Sequence, residues 1–262
     1  MIQLIINLLR EKEISTINLD SHERLALHEK MLEKRKMISG VFKEFYDTCS
    51  FYNKHFFSGK GIELEIGSGV GQIKKYYPNV ITSEVIDSPL VDRVIDAKKM
   101  NLEDNSVRVI YGMNCFHHIS EPRKFFKECE RVLQLGGGVV LIDPYYGFLS
   151  NLFYKRAFKT EFFDKTQASW ETETRVMLDA NQALSYVVFI RDREIFLKEF
   201  PHLEIIETKV LNNYVRYVCS GGLNFKQLLP NFFIPVLKAL EALMIPVNKF
   251  FGLHHVMVLR KK

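Results

Sequence analysis

A chain of 262 residues, 47% hydrophobic and 26% charged, has the make-up of one α/β domain with room for a small cap, not of a disordered or disulfide-stapled chain. The net charge of +5 carries no block of like charges, and Glu33–Lys36 reads as a solvated helix face, so no nucleic-acid partner is expected. Four scattered cysteines, Cys49, Cys115, Cys129 and Cys219, form no C-x-x-C pair, which points to reduced thiols and a cytoplasmic setting.

The apolar start, Met1 to Arg10, lacks a basic leader and a small-residue cleavage site and reads as a helix. Residues 1–57 read as helical throughout. Asp20 or Ser21 is the expected cap of a helix through Leu25, Met31, Leu32 and Met37, and Val41, Phe42, Phe45, Tyr46 and Cys49 repeat at helical spacing. This segment is expected to form a helical cap over a sheet, closing one side of a substrate cavity or simply hiding the sheet.

Gly61–Gln72 is the stretch on which the reading turns. Ile62, Leu64 and Ile66 alternate with Glu63 and Glu65, and Gly67, Gly69 and Gly71 follow at every second position. An apolar run that breaks into glycine before a helix is the pattern of the first βα turn of a doubly wound sheet. The helix is expected from Val70 or Gly71 to Tyr77, with N–H groups that favour negative charge in a ligand. A dinucleotide fingerprint would carry a third glycine at position 72, where this chain has Gln72.

Val80–Val85 is the expected second strand, delivering Glu84 to its carboxyl end at close to the ~20-residue distance of a ribose-binding acid. Val91–Ala97 reads as a short third strand and Val107–Met113 as a fourth, delivering Asn114 to the same edge. Ser120 is expected to cap a helix with Pro122 in its first turn, Gly136–Gly138 to end it, and Val139–Asp143 to form a fifth strand. Ligands bind where several strand ends of an open sheet converge.

Beyond Pro144 comes an aromatic-rich insertion at about 145–195, in which Tyr145, Tyr146 and Trp170 are candidates to line an acceptor pocket, with core packing the competing role. Arg191–Phe200 reads as a helix; Leu203–Val210, Tyr214–Cys219 and His255–Leu259 read as strands, two of them an antiparallel edge pair. Residues 228–253 form the most apolar stretch, broken by Pro230, Pro235, Pro246, Lys238, Glu241 and Lys249. It is expected to be a short amphipathic helix over the substrate opening, with peripheral membrane contact as a second reading. His117–His118 and His254–His255 are adjacent pairs without metal-site spacing, so no metal is expected.

From Gly61 to Pro144 the chain resembles the class I S-adenosylmethionine-dependent methyltransferases, in particular the type 11 group. The resemblance rests on E-x-G-x-G-x-G from Glu65, H-H-I-x-x-P from His117, and R-V-L-x-x-G-G from Arg131; Gln134–Leu135 departs from the family's usual basic residue and proline. It implies a Rossmann-like, doubly wound, seven-stranded sheet, mostly parallel with an antiparallel edge hairpin, over residues 58–262, with the N-terminal cap at 1–57. It implies S-adenosylmethionine as cofactor, with S-adenosylhomocysteine as product. By the same resemblance Glu65, Gly67, Ser68, Gly69 and Gly71 hold the methionine part; Glu84 and Val85 meet the ribose; Asp96 and Ala97 contact adenine; and Asn114 lies at the fourth strand tip. His117 and His118 are candidate bases beside the methyl, or residues that line the cavity. The implied activity is methyl transfer to a small-molecule or lipid- or sugar-linked acceptor. An NAD- or nucleotide-binding oxidoreductase and a non-catalytic cofactor-binding or scaffold protein are the rival readings.

Overall fold

The computed structural model describes residues 2–16, 22–157, 162–172 and 180–262. The capping residues expected at Asp20 and Ser21 lie outside the described residues. The chain begins with helices α1 (Ile2–Leu9), α2 (Lys12–Thr16), α3 (His22–Lys34) and α4 (Lys36–Phe56), the last two separated at Arg35. Arg35 bonds the Phe225 carbonyl and pairs with Glu11, tying this break to the far end of the chain.

Strands β1 (Ile62–Ile66), β2 (Ile81–Glu84), β3 (Arg93–Val94) and β4 (Val107–Met113) follow, then α5 (Pro122–Val132) and β5 (Leu133–Pro144). After α6 (Phe148–Ala157) come the single turn α7 (Leu184–Tyr186), a π-helical turn at Val187–Arg191, α8 (Arg193–Glu199) and β6 (Leu203–Val210). The chain closes with α9 (Tyr214–Ser220), α10 (Ile234–Leu243), α11 (Asn248–Phe251) and β7 (His254–Lys261).

The seven strands form one sheet in the order β3-β2-β1-β4-β5-β7-β6. β1 to β5 run parallel, while β7 is antiparallel to both β5 and β6. This is the doubly wound α/β architecture with an antiparallel edge hairpin, and its order reverses between β1 and β4.

Period-two alternation builds a core on each face. Leu64, Ile110, Val139 and Leu141 face one side, against Phe125 and Phe126 of α5 and Phe196 of α8. Val109, Val140, Ile142 and Val258 face the other, against Val41, Phe45 and Cys49 of α4. α4 is therefore one of the two helical layers that enclose the sheet. Each such buried side chain contributes about 1.5–3 kcal/mol of apolar burial, which outweighs the weak propensity of a Phe- and Tyr-rich sequence for helix.

Several elements differ from expectation. The helix after the glycine turn is one 3-10 turn, Gln72–Lys75, so the extended row of N–H donors expected there is not formed. β3 shrinks to two exposed residues, and Asp96 sits beyond it in a bridge with Lys99. Glu121, not Ser120, occupies the N-cap of α5, without a side-chain bond; Ser120 instead accepts from Lys98 Nζ at 3.3 Å. Gly136–Gly138 do not end α5, which stops at Val132, but lie inside β5 beside a register shift. A Cβ on Gly138 would stand 2.2 Å from the Leu259 carbonyl and 2.2 Å from the Phe57 ring, so close backbone approach explains that glycine.

Tyr214–Cys219 is helix, not strand. Its buried Arg216 faces Glu44 and Glu241, and Gly221 closes the helix at φ 76°. Tertiary pairing overrides the local β preference of its Val and Tyr residues.

Candidate active site

The site is assembled where the sheet order reverses. Gly67, Gly69 and Gly71 adopt φ of 60°, 56° and 62°, a run of left-handed conformations that lets the chain turn sharply off β1. The two outer glycines are also fixed by crowding: a Cβ on Gly67 would lie 2.6 Å from Cys115 Cβ, and one on Gly71 2.6 Å from the Leu90 carbonyl. Gly69 differs, because a Cβ there meets nothing within 4 Å. It borders open space, as a turn that receives a ligand against its main chain must.

Ser68 locks the turn to β2. Its hydroxyl donates to the Glu65 carbonyl at 3.1 Å and accepts from Ser83 N–H at 3.0 Å, while Ser83 Oγ donates to the same carbonyl at 2.8 Å. Glu84, at the tip of β2, accepts from Gly69 N–H at 2.6 Å and, through its other oxygen, from Val85 N–H at 3.3 Å. The turn's N–H is thus turned toward a carboxylate of the protein itself. Val85 and Ile86 beside it are 61% and 48% exposed, an apolar rim next to an acid.

Glu65 lies at the end of β1, 1% exposed, and its Oε2 has no hydrogen-bond partner. Burial, helped by the nearby Glu84 carboxylate, pushes its pKa up to about 8. Burial also raises Glu84, against the pull of the Gly69 and Val85 N–H groups. Asn114, at the tip of β4, takes φ of 51° while its N–H donates to the Ile142 carbonyl at 2.8 Å. Asp96 bonds Lys98 N–H at 2.9 Å, with its side chain 43% exposed; Ala97 next to it is half-buried.

His117 and Asp143 form a buried pair, Nδ1 to Oδ1 2.8 Å, with His118 beside His117 at 4.1 Å between ring centroids. Burial raises Asp143 well above the usual carboxylate range. Asp143 was read from the sequence only as the end of the fifth strand, without a site role, although it lies at the tip of β5 as Glu65 and Glu84 lie at those of β1 and β2; the same strand-tip logic would have found it. Cys115 was missed too. Its side chain lies under Gly67, with the thiol donating to the Ile66 carbonyl at 3.4 Å, and burial pushes the thiol pKa up.

The aromatic candidates separate. Tyr145 is half-buried, anchored by its N–H to the Leu253 carbonyl at 2.8 Å, and Tyr146 stacks on Phe163 at 4.6 Å. Trp170 is 2% exposed in the core beside Phe196, its indole N–H donating to Asp192 at 2.8 Å, which is the core-packing role.

A second feature escaped the sequence reading altogether. An apolar cavity of about 420 Å³ lies between α1, α6, α9 and the loop at 221–228, lined by Ile6, Leu9, Phe153, Tyr217, Val218 and Leu223 among others. It adjoins the carboxyl end of β5, since the Tyr217 ring packs on His254 at 4.6 Å and His254 pairs with Pro144. Its residues come from three distant segments, which no local pattern could reveal.

Among the described residues, no group of three or more His, Cys, Asp or Glu is placed to hold a metal ion. The residues do fit a cationic nucleoside cofactor: a buried carboxyl with a free oxygen, a second acid with an apolar rim, and a glycine turn open at Gly69.

The sheet order, the glycine turn and the acids at its strand tips define the class I, S-adenosylmethionine-dependent methyltransferase fold. Residues 64–141 match the family model of the methyltransferase domain, so the chain carries an enzyme domain of that kind. No curated protein matches this chain in sequence. Among solved structures it is similar to a geranyl diphosphate methyltransferase in complex with S-adenosylmethionine, at 12% identity and a TM-score of 0.51, covering 93% of this chain and 92% of that one. It is also similar to the geranyl diphosphate C-methyltransferase of Streptomyces coelicolor A3(2), at 12% identity, TM-score 0.50, covering 97% of this chain and 88% of that one. These likenesses show the fold. Phosphoethanolamine N-methyltransferase 2 of Haemonchus contortus matches at 16% identity and a TM-score of 0.45 over 82% of this chain, which spans about half (52%) of that protein's length.

Proposed function

We propose that this protein moves a methyl group from S-adenosylmethionine to a small-molecule or lipid- or sugar-linked acceptor with an apolar body, releasing S-adenosylhomocysteine. The observation that carries this reading is Glu65, a buried carboxyl with one unpartnered oxygen beside the glycine turn. Carboxyl groups at the adjacent tips of β1 and β2 suit a cationic ligand better than a pyrophosphate, which counts against a dinucleotide oxidoreductase.

When bound, the cofactor supplies a methyl group on a cationic sulfur. Glu65 holds its amino end, with the turn Gly67–Gly71 and Ser68 shaping the surface beneath. Glu84 accepts the ribose hydroxyls, and Val85 covers the ring. Asp96 and Ala97 meet adenine, and Asn114 closes the fourth strand tip. Holding donor and acceptor in line accounts for about 7–11 kcal/mol of barrier lowering without a dedicated base. Where the acceptor carries a proton, His117, oriented by Asp143, takes it, with His118 alongside. Tyr145 and Tyr146 remain acceptor-side candidates, and Ile6 and Leu9 support a role for α1 as a cap on the apolar cavity. The four thiols are free, which supports a cytoplasmic setting.

Titration calorimetry with S-adenosylmethionine, followed by mass spectrometry of a metabolite and lipid extract incubated with labelled cofactor, tests the reading. Glu84→Ala is expected to weaken cofactor binding by about 1–3 kcal/mol, through loss of charge-assisted hydrogen bonds. Unchanged affinity in that variant, or binding of NAD in preference, sinks the assignment. Cofactor binding without any labelled product would favour the scaffold reading.

A further inference from the structure

The outer faces of the C-terminal helices are apolar where a water-facing helix would be polar. Val236, Leu240 and Leu243 recur at helical spacing on α10 and are 63%, 41% and 80% exposed. Phe232 before them, with Ile245 and Phe250 after, are 73%, 55% and 60% exposed. α11 packs on α6, where Phe148 and Leu152 are 76% and 46% exposed, so the apolar surface continues across three helices. Scattered exposed apolar residues are ordinary; a contiguous field of large ones is not.

The sequence segments that build this face are poor in acids. From Lys226 to Leu253 the single acid is Glu241, 2% exposed and locked against Arg216 at 2.5 Å. Between Tyr145 and Arg156 there is no acid at all. The exposed basic residues are Lys155, Lys238 and Lys249; Lys238 pairs with Glu44 at 3.2 Å, and the face keeps an excess of cations. Apolar side chains ringed by lysine match the boundary between acyl chains and anionic headgroups.

None of these helices is by itself a membrane span. No single helix among the described residues is long and apolar enough, and the pair Asn231–Leu243 and Ile245–Phe251 is bent by 61°. α10 alone rises about 15 Å against a hydrocarbon core of about 30 Å. Its inner face, with Leu237 and Glu241, is buried on the protein. The element therefore lies along a surface.

The apolar cavity opens into this field. Leu152 and Leu228 both line the cavity and are 46% and 44% exposed, so its mouth lies within the apolar face. We propose that α6, α10 and α11 dock this protein on an anionic lipid bilayer, and that the cavity between α1, α6 and α9 receives the apolar tail of a membrane-resident ligand directly from it. The docking stands on the surface alone; taking that ligand as the methyl acceptor rests on the function proposed above.

The full chain is floated with vesicles of phosphatidylcholine, with and without about a third phosphatidylglycerol. Binding to the anionic vesicles is expected, weakened by salt. Lys155→Glu with Lys249→Glu lowers it about thirtyfold, from the ~1 kcal/mol each basic residue contributes near such a surface. Phe232→Ser with Leu243→Ser and Phe250→Ser lowers it about a hundredfold, from the lost apolar burial. These side chains are exposed, so the melting temperature and cofactor affinity of both variants should match the parent. Cavity occupancy is read with a long-chain fluorescent fatty acid; Val218→Trp, or Leu152→Trp at the mouth should the first not fold, lowers its binding about tenfold by filling space.

Absence of vesicle binding, or binding untouched by the apolar replacements, overturns the docking. So does a concentration-dependent dimer that the same replacements dissolve without any vesicle binding, since the face would then belong to a second copy. Fatty-acid binding indifferent to both tryptophans overturns the cavity assignment. Vesicle binding in a chain that binds no S-adenosylmethionine would leave the docking standing and remove the enzyme.

Discussion

At the tip of β1 a carboxyl group sits out of water with one oxygen unpartnered, and the cost of that shows in its titration. With its pKa raised to about 8 from 4.5, Glu65 favours folding fully below pH 4.5, and that contribution is lost as pH rises through about 8. Glu65→Gln is therefore expected to gain roughly 1–3 kcal/mol over the parent at alkaline pH, with the gap closing in acid. Denaturant melts at a series of pH values check this, and a pH-independent gap would refute it. A cation bound against the carboxyl should draw the proton off, so calorimetry in buffers of different ionisation enthalpy should show proton release near neutral pH. The glycines offer a contrast at the same scale. Gly69→Ala places a methyl in open space at φ 56°, which strains the backbone by about 1–2 kcal/mol and intrudes where a ligand would lie. Gly67→Ala drives a Cβ toward Cys115. Cofactor titration and melting together should show Gly69→Ala losing more affinity than stability, and Gly67→Ala the reverse.

Among the elements, α9 shows most clearly what neighbours can impose. Arg216 is 4% exposed and bonds Glu44 and Glu241 from two other helices, α4 and α10. Removing one member of such a set strands a charge, so Arg216→Ala should cost about 3–5 kcal/mol, whereas Arg216→Met with Glu241→Leu should recover part of it. Chemical unfolding of the single and paired variants measures the difference; equal losses would mean the ion pair itself stabilises. β4 and β6 were readable from sequence to their last residues because short apolar, β-branched runs bounded by turn residues decide them locally. Tyr214–Ser220 was not, because its partners lie about 170 residues upstream at Glu44 and 25 downstream at Glu241. The tripled glycines at 136–138 misled for a related reason: glycine stops helices, but here it lets β5 pass close to Phe57 and β7.

Across the whole molecule, opposed buried groups set the response to acid and base. His254 and His255 are neutral in the core, lowered to about 3 by burial, so their contribution is present above pH 6.5 and is lost as pH falls toward 3. Glu65 and Asp143 act in the opposite sense, weakening the fold as pH rises. Between about pH 4.5 and 6.5 the two slopes offset, so unfolding free energy should be nearly flat there and fall on both sides. Equilibrium unfolding across pH 3 to 9 tests this; a maximum above pH 8 would contradict it.

The sequence by itself determined the parallel sheet, the glycine turn and the acids that end β1 and β2, since alternation, glycine geometry and strand-end placement are local rules. It left open which face α4 covers, how Asp143 meets His117, and what Tyr217, Leu223 and α1 enclose between them. Only the tertiary structure decided these. Side chains from distant segments share a cavity or a proton because the chain packs them together, and no window of neighbouring residues carries that information.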